Sequence, residues 1–240
     1  FGKKPSFTLN PFSFMTGATG SDQEVSEAII NNSGAEPDNS QEDGDDGKDN
    51  VTQTIMTLNL LKMMASEAGE IDSFQQAMMI KLIAEEYNEA VAAGRVGSIT
   101  GFANRCLALG KEMDDKRISD IGHQLQPWCE DGLYGGRFST ELPPINFDAR
   151  FIVLELEELK GTPHLQTVVL MSIIQAAQHA MFIKRDGRRR LFVLDEAWEY
   201  IKPDDAKGSG KHANNAFFSA FLEAAWRRFR KTNCAGICIT

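Results

Sequence analysis

The sequence lacks the features of a membrane-spanning or secreted chain. No apolar run approaches the roughly 20 residues that a membrane helix needs, and residues 1–5 contain no signal-peptide core. The contents of 42% hydrophobic and 25% charged residues are ordinary for a globular protein. Because the first residue is not Met and the last residues read as a strand, we expect a piece of a longer protein.

Cysteine and positive charge are also scarce. The four cysteines form no C-x-x-C pair and have no regular spacing to histidine, which disfavours a zinc site and fits a reducing compartment. The net charge of −9 disfavours a general nucleic-acid-binding surface. The most basic run, residues 184–190, precedes a predicted strand, so a solvated turn is the better interpretation.

A phosphate-binding loop is missing as well. Gly208-Ser209-Gly210-Lys211 imitates one, but G-x-x-x-x-G-K-[ST] would require Gly at Asp205 and Ser or Thr at His212. No strand directly precedes these residues either. We therefore predict a flexible loop between about Pro203 and His212.

The stretch Leu191 to Trp198 organises the rest of the chain. Four apolar residues, typical of a strand buried on both faces, lead directly into Asp195 and Glu196. Since unpaired carboxylates are costly inside a core, both should lie at the carboxyl end of the strand, where parallel sheets bind ligands. This is the Walker B pattern, in which one acid holds Mg²⁺ through water and the next orients an attacking water. Acids that merely cap the following helix are the alternative.

The remaining elements predict an α/β fold with a mostly parallel sheet and an all-α insertion. Strands are expected at 6–9, 151–154, 191–194 and 235–239, with helices between the later ones. We assign residues 1–15 and 131–240 to the α/β core, 16–50 to an acidic flexible loop and 51–130 to the all-α insertion.

Within the insertion, helical periodicity begins at Val51. Residues 73–76 read as a capping box that opens a second helix. Two further helices follow, near 100–109 and around Ile118 to Leu125. The methionine pairs at 63–64 and 78–79 read as core, with an adaptable docking surface as the alternative.

The last predicted helix ends in four cations. Arg227, Arg228, Arg230 and Lys231 follow an apolar stripe that includes Phe218, Trp226 and Phe229. Cations at a helix carboxyl end suit the helix dipole. Four cations are more than the dipole of one helix needs, so a functional role for some of these side chains is the alternative.

Several motifs together resemble the ATPase domain of the TraC/VirB-type conjugative-transfer ATPases, the motors of type IV secretion systems. They are FTLNPF at 7–12, YGGRF at 134–138, FIVLELEEL at 151–159, LFVLDEAWEY at 191–200 and WRRFRKTNCAGICIT at 226–240. The resemblance covers most of the chain, but the acidic tract at 36–50 and the missing phosphate-binding loop depart from the family pattern.

The resemblance implies a RecA-like P-loop NTPase core that uses ATP and Mg²⁺ and acts as a hexameric ring. It implies that Asp195 holds a Mg²⁺-bound water, that Glu196 orients the hydrolytic water, and that Arg230 or Arg227, with Arg230 favoured, reaches a neighbouring subunit's site. It further implies a cytoplasmic location peripheral to the inner membrane, beside other secretion components and the coupling protein. This chain alone is expected to lack turnover without its phosphate-binding loop.

Two other functions are open. The chain could be an inactive interaction module whose insertion, residues 51–130, docks onto other secretion proteins. It could also be a DNA-translocating motor with salt-dependent, DNA-stimulated hydrolysis, although the net charge of −9 weighs against this function.

Overall fold

The computed structural model describes residues 5–21, 23–25, 46–66, 71–183, 187–195, 226, 229 and 233–239. These residues divide into two compact units. The helical unit comprises the described residues within 1–66 and 70–145, and the sheet unit comprises those from 146 onward. The domain boundaries expected from the sequence stay a prediction.

Four α-helices build the helical unit: α1 (Asp46–Ala65), α2 (Ser73–Ala92), α3 (Ile99–Glu112) and α4 (Lys116–Gln124). Their existence and order confirm the predicted helical segments. Helix α1 begins five residues before the predicted start. The sequence pattern did not indicate these residues, because they are polar and carry no apolar periodicity. Most side chains that face the interior are apolar, and the fully buried ones include Leu58, Leu61, Met64, Ile83, Phe102, Ile118 and Ile121.

The start of α2 corrects a detail of the sequence analysis. The N-cap is Asp72 rather than Ser73, because the Asp72 side chain accepts a hydrogen bond from the Gln75 amide at 2.7 Å. The Gln75 side chain in turn accepts from the Asp72 amide at 3.0 Å. Both partners of the capping box therefore lie one residue earlier than predicted. The helix ends before Gly94, whose φ of +67° is left-handed and suits glycine.

Methionines 63, 64 and 79 are buried, which confirms their interpretation as core residues. Met78, on the same helix as Met79, is half-buried. These two methionine pairs therefore do not form an adaptable docking surface.

The N-terminal segment packs against the helical unit. Residues 6–9 form a single parallel bridge, Thr8 with Pro144, rather than the predicted strand. A 3₁₀ turn, Pro11–Phe14, follows directly. The Gln53 side chain on α1 then accepts a hydrogen bond from the Thr16 amide at 2.6 Å, so part of the segment predicted to be flexible is held in place.

The sheet unit contains α5 (Pro163–Gln178), β1 (Arg190–Leu194) and β2 (Cys234–Cys238). Pro163 opens α5 as predicted, and buried side chains surround most of the helix. A π-helical turn, His179–Ile183, extends it. The two strands pair in parallel, with Leu191 opposite Ala235 and Leu194 opposite Cys238. The parallel pairing confirms the direction expected from the strand and helix order.

Two further strand predictions, both in the sheet unit, are wrong at least in part. Residues 151–154 have no regular secondary structure, and among the described residues no strand lies beside them. Strand β1 forms, but it is not buried on both faces, because Leu191 and Val193 are exposed on one of them. Continuous apolar character therefore did not indicate two-sided burial in this sheet of two described strands.

Candidate functional site

The candidate site lies at the carboxyl end of the parallel strands. Strand β1 ends at Leu194, and the exposed Asp195 follows directly. The Leu194 carbonyl accepts a hydrogen bond from the Ile239 amide at 2.9 Å, so the parallel pairing continues to the last residue before the acid. A paired strand thus fixes the backbone that carries Asp195, as the Walker B pattern predicts.

The sheet exposes Leu191 and Val193 on one face, and its other face is packed. Phe192 and Cys234 contact the buried Met181 and Phe229. A side chain at Gly236 would lie 2.5 Å from the Phe229 ring and 2.9 Å from the Trp226 ring, so only glycine allows this close approach. Trp226 and Phe229 are each helical, as predicted, and both rings lie beside Gly236 in the middle of β2.

The other predicted site residues lie outside the described residues. These are Glu196, Arg227 and Arg230, together with the 203–212 loop. Their assigned roles therefore stay predictions. What the structure adds is the position of their sequence neighbours: Asp195 at the carboxyl end of β1, and Phe229 against the packed face of the same sheet.

The chemistry of Asp195 suits a magnesium ion that is held through a bound water rather than by direct coordination. A carboxylate such as Asp195 is the hard oxygen donor that Mg²⁺ prefers, and Mg²⁺ usually keeps several waters. Among the described residues, no group of three His, Cys, Asp or Glu side chains is placed to hold a metal directly.

The described part of the basic run, residues 187–190, lies at the opposite end of β1 from Asp195. Of its described members, Arg188 and Arg189 are exposed, and Arg188 forms an ion pair with Asp148 at 3.5 Å. Gly187, the first described residue of this run, has a φ of +70°, which suits glycine. The exposure of residues 187–189 agrees with the solvated character predicted for the run, and the turn itself stays a prediction.

The sequence analysis missed a buried charged cluster in the helical unit. Glu86 on α2 is 1% exposed and accepts hydrogen bonds from Arg95 at 2.8 Å, from the Ser98 amide at 3.0 Å and from Arg105 at 3.0 Å. The hydrogen bond that Arg95 donates to Glu86 is the main reason that the pKa of Arg95 is raised. A fully paired carboxylate of this kind ties α2 to α3 and serves structure rather than catalysis.

One signal could have revealed this cluster. Glu86 lies on the apolar stripe of α2, three residues after Ile83 and four before Ala90, both of which are buried. An acid at such a position requires a basic partner from another element, because burying it alone costs several kcal/mol.

The fold and the acid at its strand end define a helix-rich α/β protein with a parallel sheet. Protein TraC of Escherichia coli K12 is 24% identical over 184 residues, which cover 75% of this chain and 20% of TraC. The type IV secretion system protein virB4 of Bartonella henselae is 22% identical over 149 residues, which cover 62% of this chain and 17% of virB4. The chain is thus similar to TraC and to VirB4, which confirms the resemblance predicted from its motifs.

A solved structure agrees at the level of the fold. The structure of VirB4 of Thermoanaerobacter pseudethanolicus superposes with a TM-score of 0.62 at 16% identity, covering 96% of this chain and 75% of that chain. No protein-family model matches the chain. The chain spans about a fifth of the length of the curated relatives that it matches. Among the described helices, none has the length and hydropathy to cross a membrane.

Proposed function

We propose that the chain belongs to an ATP-hydrolysing motor of a type IV secretion or conjugative transfer system, and that its sheet unit is part of a RecA-like core. The observation that carries the proposal is the paired parallel strand β1, which leads directly into Asp195 and Glu196 in a chain similar to TraC and VirB4. Motors of this kind act as rings, and we expect a hexamer beside the inner-membrane secretion components and the coupling protein.

Each acid has a distinct task in this proposal. Asp195, which follows a paired strand, would hold a Mg²⁺-bound water, and the ion would supply positive charge for the nucleotide phosphates when bound. Glu196 orients the attacking water and accepts its proton. Because a general base must be within hydrogen-bond reach of that water, the rigid strand before the pair supplies the positioning.

The arginines complete the proposed site from the neighbouring subunit. The fixed, delocalised charge of a guanidinium suits the charge spread over a transferring phosphoryl group. We assign this role to Arg230 and keep Arg227 as the alternative. Arg230 directly follows Phe229 in sequence, and Phe229 is anchored against the sheet of its own subunit.

The experiment is a Glu196→Gln substitution in the full-length protein, with Glu199→Gln as the matched control. We expect Glu196→Gln to abolish hydrolysis and to leave ATP binding intact, because glutamine keeps the shape of the side chain but cannot accept the proton. Glu199→Gln removes an equal charge three residues away and should leave turnover near the wild-type rate. Normal turnover in Glu196→Gln would contradict the assigned role.

A second function is favoured by one observation. The helical unit is a compact body with its own apolar core. The given sequence contains no phosphate-binding loop through which this unit would bind nucleotide. It could therefore dock onto other secretion components without catalysis. If the full-length protein binds those components but neither binds nor hydrolyses ATP, this interaction-module function replaces the motor.

A further inference from the structure

Residues 130–138 of the helical unit form a turn of fixed geometry, here called the glycine turn. The Tyr134 amide donates a hydrogen bond to the Pro127 carbonyl at 2.8 Å. The Cys129 carbonyl lies so close to Gly135 that a Cβ there would collide with it, so only glycine fits. The turn therefore presents its other side chains from a rigid backbone.

The glycine turn exposes a large apolar side chain. Leu133 is 81% exposed, more than any other large apolar residue in the described part of the helical unit. Gly136, three residues later, is also exposed, and a Cβ there would meet nothing within 4 Å. One exposed leucine is common on protein surfaces and by itself indicates nothing. Here, however, a second unusual residue belongs to the same turn.

That second residue is Arg137, a half-buried cation without a partner in the part of the chain that the structure describes. The other described arginines of the helical unit each bind a carboxylate: Arg95, Arg105 and Arg117. An acid of the same turn, Glu130, instead accepts a hydrogen bond from the Thr140 hydroxyl at 2.9 Å. Because a partly desolvated charge is costly without a counter-charge, Arg137 suits an anion supplied by another molecule.

These features together define the chemistry of a partner. The glycine turn also contains Tyr134, whose ring lies 4.8 Å from that of the buried Trp128. Arginine and tyrosine are enriched among the residues that carry most of the free energy of protein interfaces, and a rigid loop loses little entropy on binding. A guanidinium recognises a carboxylate through two parallel hydrogen bonds. The partner surface therefore has a carboxylate near an apolar contact for Leu133.

A second copy of this chain has the complementary charge. The chain carries 34 acidic against 25 basic residues, and its net charge is −9. In the described part of the chain, several exposed carboxylates have no ion pair: Glu112, Asp131, Glu141, Glu155 and Glu158. A neighbouring copy therefore offers Arg137 an acidic surface.

We propose that the glycine turn is a contact between copies of this chain, with Leu133 as its apolar anchor and Arg137 bound to a carboxylate of the neighbouring copy. The turn of one copy meets a different surface of the next, which is the head-to-tail contact that a closed ring requires. The proposal rests on the ring in the proposed function and is independent of ATP hydrolysis.

Chemical cross-linking of the full-length protein tests the contact. Arg137→Lys keeps the charge and supplies an amine, which a zero-length carbodiimide reagent joins to a carboxylate that it touches. The assembly is formed from equal amounts of normal and isotopically heavy subunits, so a cross-linked peptide of mixed mass comes from two copies. We expect such peptides from Arg137→Lys in clear excess over Arg150→Lys, which changes an exposed arginine without an ion pair in the described part of the chain. Equal mixed-mass yields in the two variants, or links within one copy alone, would overturn the proposal.

Charge reversal then measures the strength of the contact. Arg137→Glu should raise the dissociation constant of the assembly roughly thirtyfold, as the loss of an interface hot spot does, while Arg150→Glu should leave it within about twofold. Sedimentation velocity over a range of protein concentrations measures both constants, and circular dichroism verifies that the variants are folded. An unchanged constant in Arg137→Glu would overturn the contact.

The same measurements separate this contact from the motor function. If the full-length protein assembles and gives the mixed-mass cross-link but hydrolyses no ATP, the motor function fails and the contact stands. If the protein hydrolyses ATP but stays monomeric at every concentration, the contact is wrong and the hydrolytic function stands.

Discussion

The Asn10 side chain donates a hydrogen bond from Nδ2 to the Gly97 carbonyl at 2.8 Å, across 87 residues of sequence. Asn10 is fully buried, and its Oδ1 accepts from the Phe12 amide at 3.4 Å. A side chain at Gly97 would lie 2.9 Å from the Phe12 ring, so the turn after α2 and the N-terminal segment fit closely together. One amide thus joins the first residues of the chain to the helical unit.

Replacing Asn10 by Asp should destabilise the helical unit. The carboxylate has nearly the same shape but no donor for the Gly97 carbonyl, which would be left facing a buried charge. We expect the free energy of unfolding to fall by about 1–3 kcal/mol, as for other broken buried hydrogen bonds. Urea unfolding followed by circular dichroism measures the change. Asn104→Asp, on the exposed side of α3, is the control and should change stability little.

Gly101 on α3 is predicted to reject a side chain. A Cβ at this position would lie 2.4 Å from Oε1 of Glu86, and three hydrogen bonds hold that carboxylate in place. Gly101→Ala should therefore cost about 1–3 kcal/mol of stability, although alanine is otherwise the better helix former.

The control for this prediction is Gly136→Ala, because a Cβ at Gly136 meets nothing within 4 Å. Thermal unfolding of both variants gives the comparison. If Gly101→Ala were as stable as Gly136→Ala, the Glu86 cluster would be more adaptable than its hydrogen bonds indicate.

Asp115 should make the stability of the helical unit depend on pH in the acid range. Its pKa is lowered, chiefly by the side-chain hydrogen bond from Arg117, with which it also forms an ion pair at 2.7 Å. Because the folded pKa lies below the unfolded value of about 3.9, the carboxylate contributes stability above that value. The contribution is lost as pH falls through the folded pKa.

The test compares melting temperatures between pH 6 and pH 2.5. We expect Asp115→Asn to be less stable than the wild type at pH 6 and the difference to disappear at the lowest pH. Asparagine can still cap α4, so the variant isolates the charge. Asp114→Asn removes a neighbouring charge and should not reproduce this convergence.

Cys106 should be unreactive in the folded chain. It is fully buried in the core, and desolvation raises its pKa to about 12. Since the thiolate is the reactive form, only about one molecule in 10⁴ would be reactive at pH 8 even with full access. The half-buried Cys234 and Cys238 should be alkylated first, as measured by mass spectrometry of the modified peptides. Rapid native labelling of Cys106 would contradict the packing of α3.

The sequence predicted the helices and the strand direction, which depend on local periodicity and on the order of elements. It did not predict features that depend on contacts between residues far apart in the chain. Helices α1 to α4 follow from apolar spacing, and the parallel pairing of β1 with β2 follows from alternation with helices. Whether 151–154 forms a strand depends on an available edge, which no local pattern reports. The Glu86 cluster and the Asn10 amide likewise depend on residues far along the chain. At the candidate site, the sequence predicted Asp195 at a strand end, while the roles of Glu196 and the arginines stay predictions.

The proposed arginine role predicts complementation between inactive subunits. In the full-length protein, Arg230→Ala should lower the hydrolysis rate by roughly 10³–10⁵, the usual effect of losing such a finger. Arg228→Ala, which removes a neighbouring cation, should have a small effect. If Arg227 is the active residue instead, Arg227→Ala shows the large loss and Arg230→Ala does not.

Mixing the inactive variants separates a role in the neighbouring subunit from a role within one chain. Glu196→Gln subunits keep their arginines, and Arg230→Ala subunits keep their acids, so a mixed ring contains interfaces in which both groups are intact. We expect a mixture of the two variants to regain measurable turnover that neither shows alone. If the arginine acted within its own subunit, every subunit in the mixture would still lack one group, and the mixture would stay inactive.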